Sequence, residues 1–296
     1  MAVSTIDYLP LLSRFDYLAP RSIKEACSLL TEYGDGATVI AGGTDLLISM
    51  KKRQVSPRYI VGINSIPDMA NINYSQESGL QIGALASLQS IAGSTIIKDK
   101  FGLLATACNK VGIPPVRNMG TIGGNICNGG PSQDSIPSLL ALDARLKLVS
   151  LKTERIVPIA EFFTGPFQTA LDKAELLTEI QIPTPPSGSG GCYQWLTKIT
   201  EADETLVGVA VMMTLDSTAG ICKDIKIGLC SVAPVPMRAR QAEEILRGKK
   251  IDSMLIDKAA QVAAEETRPR SRADYRRQMT GVLVKRAINE VWQKIE

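Results

Sequence analysis

A short apolar strand, Ala37-Thr38-Val39-Ile40, runs directly into Ala41-Gly42-Gly43-Thr44-Asp45, and a helix starts at Leu46. That order restricts the fold more than any other stretch of the chain. Consecutive glycines let backbone N–H groups converge, and a helix start behind them adds partial positive charge. Thr44 adds a hydroxyl donor, and together these groups make a site for a pyrophosphate. The same pair also reads as a tight turn that needs positive φ. The segment is not G-x-G-x-x-G and lacks the long strand–helix–strand context of a Rossmann fold. No G-x-x-x-x-G-K-[ST] with its phosphate-binding lysine occurs either.

A second glycine segment, Gly120-Thr121-Ile122-Gly123-Gly124-Asn125, shifts the balance. It sits in Gly112–Pro137, a turn-rich stretch with little recognisable secondary structure, and compact domains rarely keep such a loop unless it binds something. Its Gly123-Gly124 pair, like the first, also reads as a tight turn that needs positive φ. The stretch ends in Pro131-Ser132-Gln133-Asp134-Ser135, where Asp134 reads either as the N-cap of a helix over Ser138–Leu142 or as an acceptor for ligand hydroxyls. Two glycine-rich loops make a bound dinucleotide the better reading.

Composition narrows the chemistry. The chain has no histidine, which removes Ser-His-Asp and Cys-His catalysis, His-containing zinc and iron sites, His-ligated haem and flavin linked through histidine. The nearest pair of the six cysteines, Cys222 and Cys230, is eight positions apart, so no metal or iron–sulfur ligand run exists and the thiols read as buried in a reducing compartment. Neither catalytic residues nor metal ligands are therefore assigned. Lys and Arg number 33 against 30 Asp and Glu, for a net charge of +3, too balanced to argue for nucleic acid. Asp7 and Arg14 interrupt any signal peptide. The most apolar run, Leu206–Leu215, is about half of a membrane span, so a soluble, cytoplasmic protein is expected.

Periodicity predicts a helix over Ser22–Tyr33, strands over Arg58–Ile63 and Leu80–Gly83, and helices from Ser87 and over Phe101–Val111. Arg145–Ser150 and Arg155–Pro158 alternate like paired strands, and Leu176–Ile182 follows as another. The low-complexity run Pro183–Gly191 marks a boundary. Beyond it, Cys192–Thr200, Thr205–Leu215 and Ile221–Cys230 read as three antiparallel strands, with Ser217–Gly220 as the clearest turn. Helices over Ala239–Leu246, Asp252–Glu266 and Ala273–Lys294 complete an α+β chain of two domains, 1–183 and 184–296.

VIAGGTDLLISMK together with RNMGTIGGNICNGGPSQDSIPSLLALDARL closely resembles the FAD-binding medium subunit of the molybdenum hydroxylases, the family of carbon monoxide, xanthine and nicotinate dehydrogenases. LQIGALASL, ELLTEIQIP, GLCSVAPVPMRARQAEE and YRRQMTGVLVKR resemble it in the same order, so the likeness covers nearly the whole chain. It implies a two-subdomain FAD-binding domain of the vanillyl-alcohol-oxidase (PCMH-like) type, divided near residue 62, then a three-stranded antiparallel sheet with a helical bundle. It implies non-covalent FAD, with Val39, Ile40, Ala41, Gly42, Gly43, Thr44, Asp45 and Leu46 around the pyrophosphate. Thr121, Gly123, Gly124 and Asn125 would meet FAD by backbone and hydroxyl, and Asp134 would bind cofactor hydroxyls. Val111 and Leu177 would supply apolar contacts, and Lys198 would approach the flavin edge, with Tyr193 and Trp195 as a shield for the ring.

Such a subunit does not touch the substrate. The resemblance implies a large subunit with molybdopterin and a small subunit with two [2Fe–2S] clusters, whose electrons reach FAD and then NAD(P)⁺, oxygen or another acceptor. Overall likeness suggests an N-heterocyclic acid such as nicotinate as substrate. The chain departs from the family in three places. Glu201-Ala202-Asp203-Glu204 follows Lys198 where an arginine is usual, which bears on binding of a nicotinamide dinucleotide. Arg268-Pro269-Arg270-Ser271-Arg272 replaces an acidic lead-in, as surface or subunit contact. The Cys-rich insertion of members with an extra cluster is missing. Two alternatives stay open: a stand-alone flavoenzyme such as a UDP-N-acetylenolpyruvoylglucosamine reductase, and a structural subunit without cofactor.

Overall fold

The computed structural model describes residues 12–200, 203–216 and 220–295. A small parallel sheet begins the fold: β1 (Asp16–Leu18), β2 (Ala37–Ile40) and β3 (Tyr59–Gly62) lie in the order β1-β3-β2. Between them run α1 (Ile23–Tyr33) and the short α2 (Leu46–Lys51). Ser22 caps α1 by accepting from Glu25 N–H at 3.1 Å, and Ala26, Cys27 and Leu30 form its buried stripe.

A second, antiparallel sheet takes β4 (Ile72–Ser75), β5 (Gly79–Gly83), β6 (Arg145–Val149), β7 (Glu154–Pro158) and β10 (Leu176–Ile182) in the order β4-β5-β10-β6-β7. The hairpin of β8 (Phe163–Gly165) and β9 (Gln168–Thr169) precedes β10. Leu80, Ile82, Leu146, Leu148, Ile180 and Ile182 alternate along these strands and point into one core. The helices inserted after β5 cover it: α3 (Leu88–Gly93), α4 (Thr95–Lys100), α5 (Gly102–Lys110), α6 (Pro114–Met119), α7 (Ile122–Cys127) and α8 (Ser135–Ala141).

Three of those helices correct the expected loop over Gly112–Pro137. Pro114 sits in the first turn of α6, where its missing N–H costs nothing. Thr121 caps α7 by accepting from Gly124 N–H at 3.1 Å, and the helix survives its glycine pair because its neighbours, rather than its intrinsic propensity, hold it.

The last sheet is β11 (Ser189–Thr197), β12 (Thr205–Leu215), β13 (Cys222–Cys230) and β14 (Met237–Arg238), antiparallel throughout. The expected three strands thus gain a two-residue fourth, and β11 already begins inside the glycine–serine run. The turn expected at Ser217–Gly220 falls mostly on residues 217–219, outside the described residues. Packed on this sheet are α9 (Arg240–Leu246), α10 (Ser253–Glu266) and α11 (Ala273–Ile295). Thr280, Leu283, Val284, Ala287, Ile288 and Val291 make the buried stripe of α11, and a second core forms against β12 and β13. The strands β1 and β4, the helix α4 and the β8–β9 hairpin carry too few residues to show a period in the sequence.

Candidate functional site

β2 delivers the first glycine segment at the carboxyl end of the parallel sheet, the edge at which such sheets present loops to ligands. Gly43 turns the chain with φ of 71°. Leu47 N–H returns to the Gly43 carbonyl and Ser49 N–H to the Asp45 carbonyl, both at 3.0 Å, which starts α2. No described residue accepts from the N–H groups of Gly42, Gly43, Thr44 or Asp45. The loop is half-buried to exposed, and successive backbone donors that no protein group takes are available to an anion. α2 has only six residues, and its dipole adds little; the loop donors do the holding. Partial desolvation by the surrounding loop raises the Asp45 carboxyl above its ordinary value, although the residue as a whole is exposed.

The second glycine segment lies against the first. A Cβ on Gly42 would stand 2.0 Å from the Met119 carbonyl oxygen, and one on Gly120 would stand 3.7 Å from Thr44 Oγ1. Here the chain needs glycine for close approach of two backbones. Within α7 the donors are already employed: Ile122 N–H reaches the Ala86 carbonyl at 3.0 Å and Gly123 N–H the Ala84 carbonyl at 2.9 Å. Gly123 has no positive φ, contrary to the expectation from sequence, and a Cβ there would sit 2.7 Å from Ala84 Cβ. Its missing side chain makes room for the β5–α3 connection. Gly124 faces the open side, where only Thr121 Oγ1, at 3.0 Å, lies near a built Cβ.

Asn125 spends its side chain on the segment that follows. Its Nδ2 donates to Gln133 Oε1, and its Oδ1 accepts from Ser135 Oγ at 2.6 Å. Asp134 lies between those two contacts. It stands at the N-cap position, just before Ser135 opens α8, but its side chain makes no capping bond. Instead Oδ1 accepts from Tyr193 OH and from Thr205 Oγ1, each at 2.6 Å. The residue is 8% exposed. Burial pushes its carboxyl up, against the pull of the two hydroxyls; Glu204 adds to the rise and the Lys110 ammonium opposes it.

Val111 ends α5 half-buried, with its carbonyl taking Arg117 Nη1 at 3.3 Å. One residue earlier, Lys110 Nζ sits 3.8 Å above the Trp195 ring, and Trp195 stacks on Tyr193 with centroids 5.9 Å apart. A line of side chains therefore runs from the end of α5 to Asp134. Leu177 is buried in β10, beside Thr178, whose carbonyl takes Ala84 N–H at 2.9 Å. Its side chain lies in the core behind α7. Tyr193 is buried too, with its ring in the same core cluster and its hydroxyl on Asp134.

Lys198 is exposed just past β11, in a turn closed by Ile199 and Thr200 N–H groups donating to Asp203 Oδ2 at 2.9 and 2.8 Å. Among the described residues no hydrogen bond or ion pair joins it to either glycine segment. Sequence reasoning missed Lys110 and Thr205. Thr205 is 71 positions from its partner, and no spacing rule connects residues so far apart.

Among the described residues no group of three or more acidic or thiol side chains is placed to hold a metal ion, and no helix is long and apolar enough to cross a membrane. A groove of about 630 Å³ between α1 and the second sheet, lined by Lys24, Asn71, Gln81, Lys147 and Glu179, involves none of the glycine-segment residues.

Two family models match the chain: the FAD binding domain in molybdopterin dehydrogenase over residues 13–185 and the CO dehydrogenase flavoprotein C-terminal domain over 195–291. The carbon monoxide dehydrogenase medium chain of Afipia carboxidovorans is 35% identical across 93% of this chain and 95% of its own length. The glyceraldehyde dehydrogenase medium chain of Sulfolobus acidocaldarius is also 35% identical, across 94% and 98%. Among solved structures, carbon monoxide dehydrogenase from Hydrogenophaga pseudoflava, in a form that lacks the Mo-pyranopterin moiety of the molybdenum cofactor, matches with a TM-score of 0.91. That match covers 96% of this chain and 99% of the other at 36% identity.

Proposed function

The chain belongs to the FAD-binding medium subunits of the molybdenum hydroxylases, and on that footing we propose which residues hold the cofactor and what the subunit does with it. It is the FAD-carrying component of an oxidoreductase. Bound FAD supplies the redox chemistry, taking electrons from molybdopterin in a large subunit by way of two [2Fe–2S] clusters in a small one, and giving them to NAD(P)⁺ or another acceptor.

The observation that carries the assignment is the run of backbone donors at Gly42–Asp45 without a described acceptor, pressed against the second glycine segment. Those donors and the Thr44 hydroxyl take the pyrophosphate, with Val39, Ile40, Ala41 and Leu46 shaping the loop on either side. Gly124 offers the open face of α7, and Thr121 keeps a hydroxyl proton for the cofactor. Gly123 and Asn125 serve by letting the backbones close and by holding the 133–135 segment. Asp134 accepts from cofactor hydroxyls, Val111 and Leu177 supply apolar surface, and Lys198 stands at the ring edge. The residues up to 183 form the cofactor domain in this reading, and 184–296 the second domain.

In this reading the subunit's residues bind, orient and screen the cofactor. Relatives at the same 35% identity are named for carbon monoxide and for glyceraldehyde, which supports a common electron-delivery part whose substrate, a nitrogen heterocycle or otherwise, is chosen by the large subunit. The test is purification of the chain with its co-expressed sister subunits. It should be yellow, release FAD on acid treatment, and co-purify with molybdenum and iron. Stopped-flow reoxidation with NAD⁺, NADP⁺ and oxygen then identifies the acceptor. A colourless chain that takes up no FAD overturns the reading.

A further inference from the structure

Asp134 is gripped from the other half of the molecule. The residue lies in the stretch matched by the FAD-binding model, whereas Tyr193 and Thr205 stand on β11 and at the start of β12. Both hydroxyls converge on one oxygen, Oδ1, at 2.6 Å, so the other oxygen, Oδ2, is used by neither. Hydrogen bonds from a hydroxyl to a carboxylate are short and strong, and two of them fix a group that otherwise rotates about its last torsion.

The surroundings are built for this grip. Tyr193 and Thr205 are 3% and 2% exposed. A Cβ on Gly208, on the next strand, would stand 2.8 Å from the Tyr193 hydroxyl oxygen and 2.6 Å from Cys230 Sγ, so glycine there keeps the space in which the phenol reaches Asp134. The Trp195 ring stacks against Tyr193 and holds its plane.

We propose that Tyr193 and Thr205 are positioning residues: their hydroxyls orient the Asp134 carboxylate so that Oδ2 meets the hydroxyls of FAD, and the C-terminal half of the chain thereby helps to shape the cofactor site. The proposal rests on the reading that Asp134 meets the cofactor. It adds that Asp134 does so only when the two donors hold it in place and charged.

The charge matters because the neighbourhood is poor in compensation. Lys110 from α5 favours the carboxylate and Glu204, just before β12, disfavours it. The thiols of Cys108 on α5 and Cys230 on β13 also face it, both pushed well up by burial and by Asp134 itself. Arg276 on α11 faces Glu204 and Cys230. With its two donors removed, the carboxyl protonates at a higher pH, and a protonated carboxyl is a poorer acceptor for cofactor hydroxyls. FAD affinity is therefore full above the titration of this group and falls as pH drops through it.

The experiment titrates FAD into the full chain stripped of flavin by acid, read by flavin fluorescence between about pH 5 and pH 9. Tyr193→Phe and Thr205→Val are each expected to weaken FAD about tenfold at neutral pH, and to move the pH at which affinity falls upward. Thr205→Ser, which restores the hydroxyl, should return both readings to those of the unmodified chain. Should Tyr193→Phe fail to fold, the two Thr205 variants carry the test alone. Weakened binding in Asp134→Asn with unchanged affinity and pH profile in Thr205→Val overturns the positioning role and leaves the site reading standing. Unchanged FAD affinity in Asp134→Asn overturns both.

Discussion

Gly42 and Gly124 look alike in the sequence, and the structure gives them different tasks. A Cβ on Gly42 collides with main chain at Met119, which has no rotamer to escape into, whereas the same atom on Gly124 meets only the Thr121 hydroxyl. Gly42→Ala is therefore expected to force the two glycine segments apart and to cost about 1–3 kcal/mol, seen as a lower Tm and a loss of FAD per chain. Gly124→Ala should keep the stability within about 0.5 kcal/mol of the original and report on the cofactor alone. If Gly42→Ala keeps both Tm and flavin content, the segments do not rely on each other. The sequence made both segments legible as phosphate-loop candidates, because strand, glycine pair and helix start are local features. It gave Gly123 a positive φ that the backbone does not have, because its neighbour Ala84 comes from another element, and it showed nothing of Thr205. Contacts between residues distant in sequence leave no period to read.

Elements with a long amphipathic period were readable to within a few residues, as α1, β10, β12 and α10 show. Those that lean on tertiary contacts were not. α7 is the clearest case: it contains two glycines, and it holds because Thr121 caps it and because the carbonyls of Ala84 and Ala86 take its leading N–H groups. Intrinsic propensity argues against a helix there, and packing overrides it. Thr121→Ala removes the acceptor of Gly124 N–H and should cost about 1 kcal/mol, with Thr121→Ser close to the original. The measurement is chemical denaturation of the flavin-free chain. A larger loss on adding FAD than without it would show that the same hydroxyl also serves the cofactor, and equal losses would confine it to the cap.

At the scale of the whole molecule, two hydrophobic cores meet along one seam. Tyr193 and Ala210 belong to strands of the third sheet but pack in the first core. Arg238 spans the seam. Its Nε and Nη2 bind the two Glu243 oxygens at 2.8 and 2.7 Å, and its Nη1 reaches Asp143 Oδ1 at 3.0 Å, between α8 and β6. Glu243 is buried and also accepts from Ile227 N–H at 2.9 Å. Arg238→Ala leaves that buried carboxylate with only the longer contact to Arg247 Nη2, at 3.7 Å, so the loss is expected toward the lower end of the about 3–5 kcal/mol that breaking a buried pair costs. The two tryptophans allow each core to be followed separately, since Trp195 packs on the first and Trp292 on the second. Trp292→Phe and Trp195→Phe each leave one reporter. In the otherwise unmodified chain both reporters should give the same urea midpoint, because the seam couples the cores. Arg238→Ala should lower the Trp292 midpoint by about 1–2 M urea and the Trp195 midpoint by less, since Glu243 stands on α9 and packs against β13 rather than the second sheet. Equal shifts at both tryptophans would mean that the seam holds without Arg238, and the coupling would then have to come from Tyr193, Ala210 and the Asp134 contacts alone.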